Sequence, residues 1–197
     1  MSALRSEPFL WIHLSGIALF PALLELVWVG LAMGSPGSFS ALELVLIAIM
    51  GVVPVLWMQL IRPFEIFSIL LFALKPECLS LEQRQILAVF KTAKLKFLST
   101  IAAGIMVIVL WLLYSLCPLA IGLASFLPQS RILGLVIAIL AFLGSNLFLQ
   151  VPMSVLAVLL TNKSQLATME PYPVDKISQD FTVPGIKVNQ ILWFLDR

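Results

Sequence analysis

Two ionisable side chains, His13 and Glu25, stand inside a long apolar stretch near the start of the chain. Ionisable groups are costly inside a membrane and are therefore functional hypotheses there by default. A neutral imidazole is a common metal ligand, so His13 could bind the magnesium of a chlorophyll or the iron of a haem. It is the only histidine in 197 residues, which excludes an array of histidine-bound pigments. The alternative use of His13 is a hydrogen bond at the membrane interface.

Glu25 follows His13 by 12 residues, about 18 Å along a helix, which is too far for direct contact. Its carboxylate could be stabilised by protonation, by a hydrogen bond from a neighbouring helix or by a cation from another subunit. A proton relay needs several such groups, and the sequence adds only Glu43 at the far interface. The relay is therefore the weaker interpretation.

Three amides, Gln59, Asn146 and Gln150, add polarity to other apolar runs. Asn146 and Gln150 are four residues apart, so they share one helix face and could hydrogen-bond to a neighbouring helix. Together with Glu25 and Gln59 they could instead surround the polar cavity of a small transporter or channel component. Transporters typically carry internal repeats with paired broken helices, and the halves of this chain show no such repeat. Transport is therefore the alternative hypothesis.

Catalytic signatures are absent from the sequence. It contains no HExxH, GxSxG or CxxC motif, no phosphate-binding glycine loop and no Ser/His/Asp set that four spans could bring together. The net charge of +2 is too small to suggest nucleic-acid binding. We expect a protein that is not an enzyme and has no nucleic-acid partner.

The elements that must hold these side chains are membrane-spanning helices. Charged residues make up 11% of the chain, against about 25% in ordinary soluble domains. The run 9–32 holds 24 residues without Lys, Arg or Asp, and as a helix of about 36 Å it would cross a hydrocarbon core of about 30 Å. We predict an all-α membrane protein whose residues 1–160 form a domain of four transmembrane helices, at 9–32, 41–61, 97–116 and 132–160.

The segment between the second and third spans, 62–96, is predicted to lie in the cytoplasm. Its apolar run 66–74 is too short to cross the membrane and is expected to form a short interfacial or re-entrant helix. Ser80 and Gln83 have the spacing of a capping box, which predicts that a helix begins there. We expect this helix to continue into the third span, as one long helix that extends into the cytoplasm.

Lysine and arginine are distributed unevenly around the predicted spans. Eleven of the twelve fall on the side of the termini and of segment 62–96, and Arg131 alone falls on the other. The positive-inside rule therefore places both termini in the cytoplasm. Arg84, Lys91 and Lys94 could then dock a partner protein or anionic lipid. The alternative is a solvated face with snorkelling side chains.

The tail, 161–197, has a different composition, with Pro171, Pro173 and Pro184 among scattered charges. This pattern is typical of an extended segment, and we predict an extended cytoplasmic tail. An apolar cluster at its end is expected to dock on the membrane interface, on the helices of its own chain or on another subunit. The cluster consists of Ile191, Leu192, Trp193, Phe194 and Leu195.

Three motifs stand out along the chain: SEPFLWIHL at 6–14, RPFEIFSILLFALKPECLSLEQRQIL at 62–87 and QDFTVPGIKVNQIL at 179–192. In these motifs the chain resembles the cyanobacterial low-complexity-tail membrane proteins, and the resemblance covers most of its length. Members of that family typically continue into a long low-complexity tail after this core. The family has no established activity, so the resemblance supplies no catalytic or binding residues.

The resemblance implies a cyanobacterial setting, in which the thylakoid is the abundant internal membrane. The hypothesis that follows is a non-enzymatic accessory or assembly subunit of a thylakoid photosynthetic complex, with a photosystem as the first partner to test. Such a subunit would act in the lipid bilayer by helix packing and cytoplasmic docking. It could carry chlorophyll, with His13 as axial ligand, or carotenoid or lipid.

Overall fold

A computed structural model of the protein describes residues 7–34, 40–69 and 71–191. Within these ranges the chain is mostly helical, and four helical segments are long and apolar enough to cross a membrane. These spans are Pro8–Ala32, Ser40–Ile61, Ala93–Ser115 and Arg131–Leu159. The prediction of a helical membrane protein with four spans is confirmed.

Short helices and strands accompany the long helices of the spans. In chain order the elements are α1 (Pro8–Ser15), α2 (Leu19–Ala32), α3 (Ser40–Ile61), β1 (Ser68–Ile69), β2 (Phe72–Leu74), α4 (Leu81–Phe90), α5 (Ala93–Ser115), α6 (Cys117–Ala124), α7 (Arg131–Leu159), α8 (Lys163–Ala167), α9 (Val174–Asp180) and β3 (Ile186–Val188). A 3-10 turn, Gly16–Ala18, separates α1 from α2 within the first span. Pro21 explains this turn, because it has no N–H to donate to the carbonyl of Ile17 and its ring crowds that carbonyl.

The chain forms two compact units, and the division between them falls inside each of the four spans. The helical unit comprises Gly16–Trp57 and Thr100–Gln150. The mixed unit comprises Met1–Ser15, Met58–Ser99 and Val151–Arg197. The predicted boundary at residue 160, between a membrane domain and a tail, stays a prediction.

The helical unit is built by close contact between spans. A Cβ placed on Gly30 would lie 2.7 Å from the carbonyl oxygen of Gly134, and one on Gly134 would lie 2.5 Å from that of Gly30. Small residues of this kind let spanning helices approach each other's backbone. Around this contact lies an apolar core of Val27, Leu31, Ile47, Val52, Ala103, Met106, Leu110, Ala138, Ala141 and Phe142.

An ion pair ties together three spans of the helical unit. Arg131, at the start of α7, is paired with Glu43 in the first turn of α3. The guanidinium also donates to the carbonyl oxygens of Leu31 at 2.7 Å and Met33 at 3.2 Å, at the end of α2. Arg131, the one cation that the sequence places on the far side of the membrane, thus helps to hold the helical unit together.

The run 66–74 is not a helix, and this part of the prediction is wrong. It contains β1 and β2, which pair antiparallel with Ser68 opposite Ala73. β3 pairs in parallel with β2, with Ala73 opposite Lys187. β2 thus forms backbone hydrogen bonds with a strand more than 100 residues later, which local composition does not indicate.

Gly185 allows the tail to reach this sheet. Its φ is +70°, and a Cβ there would lie 2.0 Å from the carbonyl oxygen of Leu71. The same carbonyl accepts a hydrogen bond from the N–H of Ile186 at 2.7 Å. Glycine is therefore required at the point where β3 meets the hairpin formed by β1 and β2.

The predicted long third helix is broken. The capping box of Ser80 and Gln83 is confirmed and begins α4, but α4 ends at Phe90 and α5 begins at Ala93. Thr92 explains the break, because its N–H and its hydroxyl both donate to the carbonyl oxygen of Val89, at 3.0 and 2.8 Å. In a continuous helix that carbonyl would accept from Ala93.

The prediction of an extended tail is wrong for the described residues. They contain α8, α9 and β3, and their side chains join the apolar core of the mixed unit. Leu166, Ile177 and Phe181 are buried there, and Ile191 packs against the same core. The rest of the predicted docking cluster, residues 192–195, lies outside the described residues.

Candidate functional site

The three motifs noted in the sequence meet in the mixed unit. Phe9 of the first motif packs edge-on against Phe67 of the second, with ring centroids 5.7 Å apart. His13 packs against Phe64 at 5.6 Å. β2 of the second motif pairs with β3 of the third. We take this convergence as the candidate functional site.

A hydrogen bond between side chains also joins the first motif to the second. Gln83 donates from Nε2 to Oε2 of Glu7 at 3.2 Å, while its Oε1 accepts from the N–H of Ser80. Burial raises the pKa of Glu7, and the bond from Gln83 opposes that rise. The capping box of α4 therefore also positions the residue that precedes the first span.

Residues 62–65, which we call the clamp, hold the third motif. Arg62 donates from Nη2 to the carbonyl oxygens of Ser178 and Phe181, both at 3.0 Å. These carbonyls lie at the C-terminal end of α9, where the helix dipole favours a cation. The charge of Arg62 therefore stabilises the last helix of the described tail.

Backbone pairing completes the clamp. Thr182 donates from its hydroxyl to the carbonyl oxygen of Arg62 at 2.6 Å, and from its N–H to that of Pro63 at 3.0 Å. Its own carbonyl oxygen accepts from the N–H of Glu65 at 3.0 Å. Polar groups of two segments 120 residues apart thus satisfy each other.

Glu65 places a carboxyl group in the interior of the mixed unit, with 1% of the residue exposed. Oε1 accepts from the N–H of Phe67 at 2.8 Å, and Oε2 has no hydrogen-bond partner among the described residues. Burial raises the pKa of Glu65 to about 7, although the Phe67 N–H and the charge of Lys187 act in the opposite direction. The clamp therefore contains a group that changes its charge near neutral pH.

Lys91, predicted as part of a docking surface, makes contacts inside the mixed unit. Its Nζ donates to the carbonyl oxygen of Ile61 at 3.0 Å and lies 5.3 Å from the ring centroid of Phe181. Burial lowers the pKa of Lys91, and the nearby carboxylate of Asp180 opposes that shift. This lysine helps to hold the tail in place.

Arg84 and Lys94, the other two predicted docking cations, differ in their surroundings. Arg84 exchanges hydrogen bonds with Tyr172 of the tail: its Nη1 donates to the Tyr172 carbonyl at 3.5 Å, and its own carbonyl accepts from the Tyr172 N–H at 3.1 Å. Lys94 is exposed. Docking of a partner or of anionic lipid by these residues stays a prediction.

His13 makes a hydrogen bond within its own helix. Its Nδ1 donates to the carbonyl oxygen of Phe9, one turn earlier, at 2.9 Å. With the proton on Nδ1, the lone pair is on Nε2, as a metal ligand requires. The structure therefore shows His13 in a hydrogen bond, and its ligation of chlorophyll stays a prediction.

The intramembrane polar residues differ in their surroundings. Asn146 and Gln150 are buried on one face of α7, where Asn146 donates to the carbonyl oxygen of Phe142 at 2.9 Å and Gln150 donates to Oδ1 of Asn146 at 3.5 Å. Glu25 is exposed on the surface of α2. Gln59 is buried and belongs to the mixed unit. Asn146 and Gln150 come together, and Glu25 does not join them.

An apolar groove of the helical unit lies between α3 and α5. It can accept an acyl chain or another apolar molecule, but it has no group to orient a charged one. Among the described residues, no three His, Cys, Asp or Glu side chains are close enough to hold a metal ion. The groove is lined by Leu44, Val45, Ala48, Val107, Ile108, Leu110 and Trp111.

Sequence reasoning missed the buried carboxyl group of Glu65, the bond of Glu7 and the ion pair of Arg131. The signal for the ion pair was present, because Arg131 and Glu43 were both predicted at the same far interface. Glu7 and Glu65 stand beside proline and aromatic residues, and Arg62, three residues before Glu65, bonds instead to carbonyl oxygens of the tail. Their surroundings depend on the folded mixed unit, so the sequence alone carried no comparable signal.

Comparison with known proteins adds one finding to this geometry. A family model described as low-complexity tail membrane protein-like matches residues 6–193, a range that contains all three motifs. No curated protein and no solved structure matches the chain.

Proposed function

The chain belongs to the low-complexity tail membrane protein-like family, a family of unknown function, and we propose that it is a non-enzymatic accessory or assembly subunit of a membrane protein complex. The cyanobacterial setting implied by its motifs makes a thylakoid photosynthetic complex, and first a photosystem, the partner to test. In this proposal both termini are cytoplasmic, as the distribution of cations indicates. The subunit acts by packing its spans and docking its mixed unit.

One observation carries the proposal: side chains that could serve chemistry or solute binding are used to hold the fold. His13, Lys91 and Arg131 all donate to backbone carbonyl oxygens. Arg62 stabilises the end of α9 in the same way. A chain whose polar groups maintain its own architecture is suited to a structural role.

Transport is the competing function, and the placement of Glu25 argues against it. A substrate path needs polar groups around a shared cavity near the membrane centre. Glu25 lies on the outer surface of its span, whereas Asn146 and Gln150 are buried in α7. In Glu25→Gln, loss of solute flux with normal complex assembly would favour transport, and unchanged flux with a shifted complex would favour the subunit.

Purification from native membranes tests the proposal. The full chain, tagged at its N-terminus, is extracted in mild detergent, its absorption spectrum is recorded and the accompanying proteins are identified by mass spectrometry. We expect chlorophyll absorption and photosystem subunits in constant proportion to the chain. A colourless protein that purifies alone would contradict the proposal.

The same preparation tests pigment binding by His13. If His13 is an axial ligand, His13→Ala loses a fixed amount of chlorophyll per chain while the complex is retained. Ser15→Ala, an exposed position two residues later in the same helix, is the matched control and keeps its pigment. Equal pigment in both variants would leave His13 with its hydrogen bond to Phe9 alone.

A further inference from the structure

Glu25 is an exposed carboxylate within the first span, seven residues before the span ends at Ala32. At about 1.5 Å per residue, it lies about 10 Å from that end. The polar boundary there is marked by Arg131, which donates to the carbonyl oxygens of Leu31 and Met33. Glu25 is therefore within the apolar part of the span, where an unpaired charge is unfavourable.

The described part of the chain supplies no partner for this carboxylate. Within residues 7–34, 40–69 and 71–191, no group donates a hydrogen bond to Glu25 and no cation pairs with it. Two other carboxylates differ in this respect, since Glu43 pairs with Arg131 and Glu65 accepts from the N–H of Phe67. A partner for Glu25 is therefore to be sought outside the described residues.

The surface beside Glu25 suits contact with another helix. Ala18 and Ala22 precede it by seven and three residues, so all three lie on one face of the span, and all three are exposed. Small residues allow a second helix to come close to the backbone. Leu19 and Leu26 are half exposed on the flanks of this face and extend its apolar area.

The carboxylate of Glu25 indicates which kind of helix can pack on this face. A carboxylate at membrane depth is best paired with lysine or arginine. Within the four spans this chain has lysine or arginine only in a first turn, Lys94 and Lys96 of Ala93–Ser115 and Arg131 of Arg131–Leu159, and Arg131 is paired with Glu43. A second copy therefore offers no cation in the apolar part of its spans, where Glu25 lies. The partner is therefore a different protein.

We infer that the face of Ala18, Ala22 and Glu25 docks a membrane-spanning helix of another protein, and that a Lys or Arg of that helix pairs with Glu25. The inference rests on the proposed function and states how the subunit recognises its complex. It also identifies the first span as the contact within the membrane.

Cross-linking from the middle of the face tests the partner's identity. A photoreactive phenylalanine replaces Ala22 in the full chain, native membranes are illuminated, and the attached peptide is identified by mass spectrometry. We expect a membrane-spanning segment of another protein, with a Lys or Arg within one helical turn of the attached residue. Attachment only to lipid, to a second copy or to a helix without a cation would overturn the inference.

Charge removal tests the pairing itself. Glu25→Gln keeps the size of the side chain, and its exposed position makes a folding defect unexpected. The fraction of chain in the larger complex is measured on native gels, and we expect an apparent affinity about three- to tenfold lower, as for hydrogen-bonded pairs between spanning helices. Gly104→Leu is the matched control, because Gly104 is exposed on another span with open space around its Cα.

The outcomes separate this inference from the proposed function. If the unaltered chain runs alone, both are wrong. If it runs in a complex that Glu25→Gln leaves unchanged, the subunit role stands and the inference is overturned. If Glu25→Lys disrupts the complex and replacing the cross-linked cation by Glu restores it, the pairing is established.

Discussion

The helical unit and the mixed unit are stabilised by different physical means. The helical unit depends on close helix packing: Gly30 and Gly134 let α2 and α7 touch, and the ion pair of Arg131 with Glu43 ties α7 to α3. The mixed unit depends on polar groups that satisfy each other over long sequence distances, as Arg62 and Thr182 do. Added volume should therefore damage the helical unit, whereas loss of a core aromatic, a change of charge or a change of pH should damage the mixed unit.

The largest effect is expected from Phe181→Ala in the mixed unit. Phe181 is fully buried, is packed edge-on by Tyr172 at 5.2 Å and lies under the ammonium group of Lys91. Truncation of a buried phenylalanine typically costs about 3–5 kcal/mol of unfolding free energy. Pulse proteolysis in detergent should show faster cleavage within 161–191. Phe126→Ala is the control, since Phe126 is 89% exposed, and equal cleavage in both variants would refute the packing described for the tail.

A pH dependence should be confined to the mixed unit. The pKa of Glu65 is about 7 in the folded chain, against 4.5 for an unperturbed glutamate. The folded state therefore binds the proton more tightly, so the stability due to this group is complete below pH 4.5 and is lost as pH rises through 7. The loss amounts to about 3 kcal/mol, at about 1.4 kcal/mol for each pH unit.

Glu65→Gln isolates this effect, because glutamine does not titrate. Between about pH 4.5 and about pH 8 the stability of the variant should decline much less than that of the unaltered chain. The remaining decline is due to Glu7, whose pKa is also raised by burial. Glu82→Gln, at an exposed position of α4, should retain the decline. A decline of the same size in Glu65→Gln would show that another group is responsible.

Added volume provides the corresponding test of the helical unit. A methyl group on Gly134 would meet the carbonyl oxygen of Gly30 at 2.5 Å, so Gly134→Ala must push two spans apart. Overpacking of this kind typically costs about 1–3 kcal/mol. Thermal unfolding in detergent should show a lower midpoint for this variant. Gly104→Ala, which adds the same methyl group into open space, should match or exceed the unaltered chain.

The smallest expected effect is a difference in stability between variants of two neighbouring lysines, Lys91 and Lys94. Lys91→Met removes a hydrogen bond to the Ile61 carbonyl and a cation over the Phe181 ring, which together contribute about 1 kcal/mol. Lys94→Met removes an exposed charge and should change the stability of the chain very little. Chemical denaturation of both variants gives the comparison. Equal stabilities would mean that Lys91 does not hold the tail and is as free to dock a partner as Lys94.

The elements that local sequence could predict are those whose partners are local. Four spans follow from uninterrupted apolar runs, and the start of α4 follows from Ser80 and Gln83, only three residues apart. The break at Thr92 was missed because a threonine hydroxyl competes for a helix carbonyl only in some contexts. A continuous helix over 81–115 and two helices separated at Thr92 would show the same pattern of apolar residues.

The hairpin, the clamp and the folded tail could not be predicted for a different reason. The N–H of Ile186 bonds to Leu71, and Thr182 bonds to Pro63, across more than 100 residues. The prolines of the tail were interpreted as signs of extension, but Pro173 precedes α9 as its N-cap residue. Of the candidate site, the motifs were recognised in the sequence, whereas their convergence in the mixed unit required the fold.

The central claim is that the described tail is part of the mixed unit, and hydrogen exchange tests it most directly. The amides of Thr182 and Ile186 donate to the carbonyls of Pro63 and Leu71, and the amide of Lys75 donates to Val188. In the full chain in detergent at about pH 6, these amides should exchange orders of magnitude more slowly than in an unfolded peptide. They should also be released together in Phe181→Ala. Exchange of Thr182 and Ile186 at the rate of an unfolded chain, with α4 still protected, would contradict the account.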